Sequence, residues 1–142
     1  MPITRLIKSF YKEKKMINLY LDKRLELSSD QAITTTAESQ NAIDFGTDSC
    51  SADGKRIDFR IKEKFQGGTS LKFILQDSAN GTSFDDKLTS STFNTAALVE
   101  SQKEPFYSLV IPKGLRRYIR VKYDVQGTFT KGKIHAILNT EM

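Results

Sequence analysis

The chain has 142 residues, of which 38% are hydrophobic and 27% charged, proportions that are typical of one globular domain. Its single cysteine, Cys50, excludes a disulfide within the chain, and no cysteine-based metal or haem motif can be formed. No apolar run reaches the roughly 18 residues of a membrane-spanning helix, and the N-terminus lacks the apolar core of a secretory signal. We therefore expect a soluble protein that is made in a cytoplasm and binds no membrane.

The basic charge is concentrated at the N-terminus. Residues 1–15 carry five basic side chains and one acidic one, a net charge of +4, whereas the whole chain carries +5. The remaining residues are therefore close to neutral, which argues against direct nucleic-acid binding by a folded basic patch. An enzyme or a nucleic-acid binder that uses residues 1–15 as a basic arm is one functional interpretation, and it is weaker than the two structural and binding interpretations given below.

Residues 1–15 are interpreted as a basic extension. The apolar and aromatic residues of this extension recur at helical spacing, so a short amphipathic helix is one interpretation. They are Leu6, Ile7, Phe10 and Tyr11. An unstructured leader before Met16 is the other, and the sequence leaves both open. If the arm docks on a partner, its expected contact residues are Arg5, Lys8, Phe10, Lys12, Lys14 and Lys15.

Residues 16–142 are predicted to form one domain of short strands. Apolar and polar residues alternate in several segments, most clearly around Ile57, Phe59 and Ile61, as in strands with one buried face. A polar loop is expected over residues 46–54, and Asn80-Gly81 predicts a tight turn. Residues 96–99 are compatible with a helical turn. Ile74 interrupts an otherwise polar face, which predicts that a loop or a partner covers it.

The region from residue 111 to 139 has the clearest pattern. Ile119, Val121 and Tyr123 share one parity, and Ile134 and Leu138 resume the same inward alternation after a glycine-containing break. We interpret the two segments as a β-hairpin with a longer loop. About eight strands without intervening helices predict an all-β fold, an antiparallel β-sandwich.

Several segments resemble one family. They include Ser29-Asp30-Gln31-Ala32-Ile33-Thr34, Asn41-Ala42-Ile43-Asp44-Phe45-Gly46, Thr69-Ser70-Leu71-Lys72-Phe73-Ile74-Leu75-Gln76, Arg117-Tyr118-Ile119-Arg120-Val121-Lys122-Tyr123-Asp124-Val125 and Gly132-Lys133-Ile134-His135-Ala136. In order and type they resemble the capsid cement (decoration) proteins of tailed bacteriophages, the type described from a Bordetella phage. The resemblance covers roughly residues 16–141, whereas residues 1–15 fall outside it.

The resemblance implies a jelly-roll-like sandwich with a structural function. Such a protein binds the exterior of the virion capsid and stabilises contacts between major capsid protein subunits. The implied partners are the major capsid protein and further copies of the chain, as a dimer or a trimer at capsid symmetry axes. A carbohydrate- or receptor-binding sandwich of a phage tail or appendage is the alternative, although the absence of tryptophan weakens it.

Candidate catalytic residues are few. His135 is the only histidine and lies at an outward strand position, so we expect a surface residue without catalytic partners. Asp85 and Asp86 are expected in a solvated loop, and the spacing of Asp48 and Asp53 fits no EF-hand loop. We therefore expect no enzymatic activity, no metal site and no cofactor.

One cluster within the domain combines cations with an aromatic ring. Arg116, Tyr118 and Arg120 lie close together in the sequence and share one face of a predicted strand. Arginine and tyrosine are enriched at the centres of protein interfaces. A partner contact and an ordinary solvated strand face are the two interpretations of this cluster.

Overall fold

A computed structural model describes residues 25–101 and 103–140. This part of the chain consists of strands, loops and one turn of 3-10 helix, Thr95–Ala97. No helix in it is long and apolar enough to cross a membrane. The strands are β1 (Glu26–Ala32), β2 (Ala37–Glu38), β3 (Ile43–Ser49), β4 (Arg56–Gly67), β5 (Ser70–Ser78), β6 (Asp85–Thr89), β7 (Phe93–Asn94), β8 (Tyr107–Val110), β9 (Arg116–Gln126) and β10 (Phe129–Asn139).

The strands form two antiparallel sheets. Sheet 1 has the order β1-β10-β4-β8, and sheet 2 has the order β2-β9-β5-β6, with β3 also paired to β9 and β7 paired to β5. Their inner faces enclose a single apolar cluster. The predicted all-β sandwich is confirmed, and its chain passes repeatedly from one sheet to the other, as expected for a jelly-roll-like arrangement.

The predicted inward residues build the core. Ile57, Phe59 and Ile61 on β4 and Ile119 and Val121 on β9 all have 0% exposure. The inward residues of the other long strands are buried as well, namely Leu71, Phe73, Leu75, Tyr123, Ile134, Ala136 and Leu138. Period-two alternation therefore identified the buried faces correctly, because successive side chains of a strand point to opposite sides.

The predicted hairpin over residues 111–139 is wrong. β9 pairs with β5 in sheet 2, whereas β10 pairs with β1 and β4 in sheet 1. The connection at Gly127, whose φ is +82°, carries the chain from one sheet to the other. Two strands that face each other across a core show the same alternation as two strands that pair, so parity could not distinguish these arrangements.

Smaller differences concern the connections. β3 continues through Gly46 to Ser49, so the predicted polar loop begins only after the strand. The helical turn expected over residues 96–99 is present one residue earlier, as Thr95–Ala97. Ile74 is 6% exposed, which confirms that this outward position is covered.

Gly132 lies where a side chain is excluded. Its φ is +144°, and a Cβ atom there would approach the ring of Phe65 to 2.4 Å. We predict that Gly132→Ala lowers the free energy of unfolding by about 2 kcal/mol, because strain and overpacking add. Gly46→Ala is the matched control: its φ is +77° but no atom lies within 4 Å of its Cβ position. Equal losses of stability in urea melts would contradict the proposed contact with Phe65.

Candidate interaction surface

The cluster predicted from sequence lies on the outer face of sheet 2. Arg116, Tyr118 and Arg120 alternate with the buried residues of β9 and are partly exposed. β9 runs between β5 and the short strands β2 and β3, so its outward side chains lie in the middle of this face. The structure thus brings the three predicted residues together, as a strand with period two requires.

Arg116 is held by two carboxylates from neighbouring strands. Its Nη2 atom donates hydrogen bonds to Oδ1 of Asp77 at 2.6 Å and to Oδ2 of Asp85 at 2.7 Å. Its backbone N–H donates to Oδ2 of Asp77 at 2.9 Å. The Asp77 side chain is fully buried, whereas that of Asp85 is 66% exposed. Nε of Arg116 is buried without a partner in the described residues.

The ionisation of Asp77 reflects a balance of opposing effects. Burial raises the pKa of its carboxyl, but the hydrogen bonds and positive charge of Arg116 outweigh burial, and the pKa is lowered. Lys87, with Nζ at 3.9 Å from Oδ1, acts in the same direction. The same contacts raise the pKa of Arg116. This pair therefore remains charged at neutral pH and joins β9 to β5.

A second set of polar contacts also connects β9, β5 and β6. Nε of Arg120 donates to Oε1 of Gln76 at 2.7 Å, and Nε2 of Gln76 donates to Oδ1 of Asp86 at 2.7 Å. The guanidinium of Arg120 also lies 4.0 Å from the ring centroid of Phe84, a cation–π contact. The β5–β6 connection therefore folds back over the outer face of sheet 2.

Tyr118 lies under the same connection. A Cβ atom added to Gly81 would come within 3.2 Å of the Tyr118 ring, which shows how closely the turn approaches it. The neighbouring Arg117 bonds the carboxylate of Asp44 on β3 through Nε at 2.7 Å and Nη2 at 3.1 Å. This hydrogen bonding lowers the pKa of Asp44. The predicted cluster is therefore engaged within the chain, and its role as a partner contact stays a prediction.

The expectation for Asp85 and Asp86 is wrong. Both lie in β6 rather than in a loop, and each accepts a hydrogen bond from a side chain of sheet 2. Sequence reasoning also missed Asp77 and Gln76 as partners of the arginines. The Asn80-Gly81 turn was the available indication, because a hairpin at this point places β6 beside β5.

The other predicted contact residues cannot be placed. Residues 1–24 lie outside the described part of the chain, and with them Arg5, Lys8, Phe10, Lys12, Lys14 and Lys15. The division into an arm over 1–15 and a domain over 16–142 stays a prediction. The folded sandwich is described from Leu25 onward.

His135 is outward-facing, as predicted, but it has a partner. Its Nε2 atom lies 2.8 Å from Oε2 of Glu26, and both side chains are 22% exposed. His135 and Glu26 thus form a pair between β10 and β1.

Asp48 and Asp53 lie near each other in sequence, yet in residues 25–101 and 103–140 no group of three or more potential ligands could hold a metal ion.

Cys50 falls within the predicted polar loop over residues 46–54, but it belongs to the core. It follows β3, is 9% exposed, and its Sγ atom accepts a hydrogen bond from the N–H of Ala52 at 3.4 Å. Burial raises the pKa of the thiol. The flanking polar residues concealed this, because composition alone does not show that a loop folds inward.

We predict that Cys50 is unreactive in the folded protein. A thiol-specific disulfide reagent should modify it at least about tenfold more slowly than it modifies the urea-unfolded chain at the same pH, because the thiolate is scarce and buried. Absorbance of the released thiolate measures both rates. Equal rates would show that the loop opens readily or that the thiol is exposed.

A comparison with protein families matched residues 27–138 to the model of the family described as Bbp16. This match covers most of the chain. The chain belongs to the Bbp16 family. The name of the Bbp16 family suggests a protein of a Bordetella phage. No curated protein matched the chain.

The Bbp16 match coincides with the sandwich. It begins one residue into β1 and ends one residue before the end of β10, so it includes both sheets and the whole outer face of sheet 2. The phage origin that the sequence resemblance implied is thus supported at the level of the family.

Proposed function

We propose that this Bbp16-family chain is a structural cement protein of a phage head. In this proposal it is made in the host cytoplasm, binds the outer surface of the capsid and stabilises contacts between major capsid protein subunits. The family match over residues 27–138 is the observation that supports it most, since it covers the same strands as the resemblance to capsid cement proteins. The proposed role requires no catalysis, cofactor or nucleic acid.

The sandwich suits a role in which stiffness matters. Its sheets enclose one apolar cluster, and on sheet 2 the contacts of Arg116, Arg120 and Arg117 connect β9 to β5, β6 and β3. A stiff domain that touches two shell subunits resists their separation without losing much conformational entropy on binding. Many copies on a symmetric shell, as dimers or trimers, then add their individual contributions.

Heads assembled with and without the chain provide the test. We expect the purified protein to sediment with heads that lack it and to raise the temperature at which those heads disrupt, since binding stabilises the assembled state. A control protein of similar size and charge should do neither. Failure to sediment with heads would contradict the proposal, and attachment to tails instead would favour the carbohydrate- or receptor-binding alternative.

A further inference from the structure

The outer face of sheet 1 has a different charge pattern from that of sheet 2. The central strands β4 and β10 carry six cationic side chains and two carboxylates. The cations are Arg56, Arg60, Lys62, Lys64, Lys131 and Lys133, and the carboxylates are Asp58 and Glu63. Because Ile57, Phe59 and Ile61 point inward, the residues that alternate with them on β4 point away from the core.

The carboxylates of this face are occupied by neutral donors. Asp58 is 3% exposed and accepts hydrogen bonds from Oγ of Ser108 at 2.6 Å and Nδ2 of Asn139 at 2.9 Å. Oε1 of Glu63 accepts a hydrogen bond from the N–H of Gly132 at 3.3 Å. Neither carboxylate forms an ion pair with Arg56 or Lys133, two cations of the same face.

Five of these six cations have no carboxylate partner among the described residues. Arg56, Lys64, Lys131 and Lys133 are exposed and form no ion pair with any residue of the described ranges, and Arg60 donates only to the carbonyl oxygen of Lys103, at 3.5 Å. On sheet 2, by contrast, several cations are paired with carboxylates: Arg116 and Arg117 with aspartates, and Lys72 with Asp124 at 4.0 Å. The uncompensated positive field therefore lies on sheet 1.

An exposed apolar residue lies within this cationic face. Val110 on the edge strand β8 is 55% exposed, the largest exposure of any large apolar residue in residues 25–101 and 103–140. Its partner in the strand register is Arg56, and Ile137 lies opposite Asp58 on the neighbouring strand pair. Apolar contact area next to arginine is characteristic of protein interfaces.

We propose that the outer face of sheet 1, centred on Arg56, Lys133 and Val110, is the surface that docks on an acidic face of the phage shell protein. This inference rests on the proposed function and assigns it a surface. The partner is a carboxylate-rich protein surface rather than nucleic acid, because Val110 and Ile137 offer apolar area that a phosphate backbone would not use. In this proposal sheet 2, where Arg116, Arg117 and Lys72 already pair with aspartates, faces away from the shell.

Charge reversal on the two faces tests the assignment. The variant Arg56→Glu/Lys133→Glu should reduce occupancy on heads that lack the chain by about tenfold or more, because both steering and contact charges are inverted. Lys72→Glu/Lys122→Glu changes the net charge equally on the outer face of sheet 2 and should stay within about twofold of wild type. Melting curves for both variants establish that each is folded. Equal losses, or a loss only in the sheet 2 variant, would overturn the inference.

A second measurement separates the surface from the function. The isolated protein is titrated with poly-glutamate and with duplex DNA of equal total charge. We expect wild type and the sheet 2 variant to bind poly-glutamate, and the sheet 1 variant to lose this binding. If poly-glutamate binds as expected while heads are not bound, the docking surface stands and the cement function fails. If duplex DNA binds more tightly than poly-glutamate, a nucleic-acid surface replaces the proposed protein-docking surface.

Discussion

Replacement of Phe73 by alanine is expected to lower the free energy of unfolding by about 3–5 kcal/mol. Phe73 has 0% exposure and stacks on Phe59 with ring centroids 4.2 Å apart. It also contacts Tyr107 at 5.6 Å and Tyr123 at 5.9 Å, so its ring joins strands from both sheets. Deleting it removes buried apolar area and leaves a cavity that the surrounding rigid rings cannot readily fill. Urea denaturation followed by intrinsic tyrosine fluorescence measures the loss.

Phe84→Ala is the matched control for this prediction. Phe84 immediately precedes β6 of sheet 2, but its ring lies on the outer surface against Arg120 rather than in the core. Its removal should cost no more than about 1 kcal/mol. If the two variants lost similar stability, the aromatic cluster would not be the centre of the core.

Replacement of Asp77 by asparagine is expected to lower the free energy of unfolding by about 2–4 kcal/mol at neutral pH. Its carboxylate is fully buried and bonded to the side chain and the backbone of Arg116. Breaking a buried ion pair leaves the remaining charge without compensation. Arg116 is 37% exposed and retains Asp85, so water and the second carboxylate reduce the cost below that of a wholly buried pair. Chemical denaturation at pH 7 measures it.

Asp85→Asn provides the comparison, because it removes a carboxylate from the same guanidinium at an exposed position. Its loss in the free energy of unfolding should be at most about 1 kcal/mol.

The pH dependence of stability provides a second test of the Asp77 prediction. The lowered pKa of Asp77 contributes stability that is fully present above the unfolded-state pKa of about 3.9 and is lost as the pH falls through the folded-state pKa. The difference between wild type and Asp77→Asn should therefore shrink below about pH 4. A difference that is constant with pH would mean that the charge of Asp77 is not what stabilises the fold.

Much of the fold could be predicted from alternation. Residues such as Ile57, Ile119 and Ile134 point inward because a two-residue period places successive side chains on opposite faces. Strand pairing was not predictable in the same way. The segment after Gly127 joins another sheet, and no local pattern distinguishes a strand that pairs with its predecessor from one that faces it across the core.

The candidate surfaces were predictable only in part. Arg116, Tyr118 and Arg120 were correctly placed on one outward face, since that follows from their parity. Their partners Asp77, Asp85 and Gln76 come from other strands, so their proximity depends on register. The cations of sheet 1 that lack carboxylate partners were hidden for a similar reason: the near-neutral net charge of residues 16–142 does not show which charges neutralise one another.

The position of β10 within sheet 1 has a consequence for folding kinetics. β10 follows every other described strand in sequence, yet it lies between β1 and β4, and Ile137 pairs with Glu26 near the beginning of the described chain. Such pairings form only after large loops have closed. Because loop closure costs conformational entropy before native contacts offset it, a high contact order slows folding. Until β10 is in place, β1 has no partner and β4 exposes an unpaired side. Refolding in milliseconds to seconds is therefore expected, and the open strand edges of incompletely folded chains favour aggregation at high protein concentration.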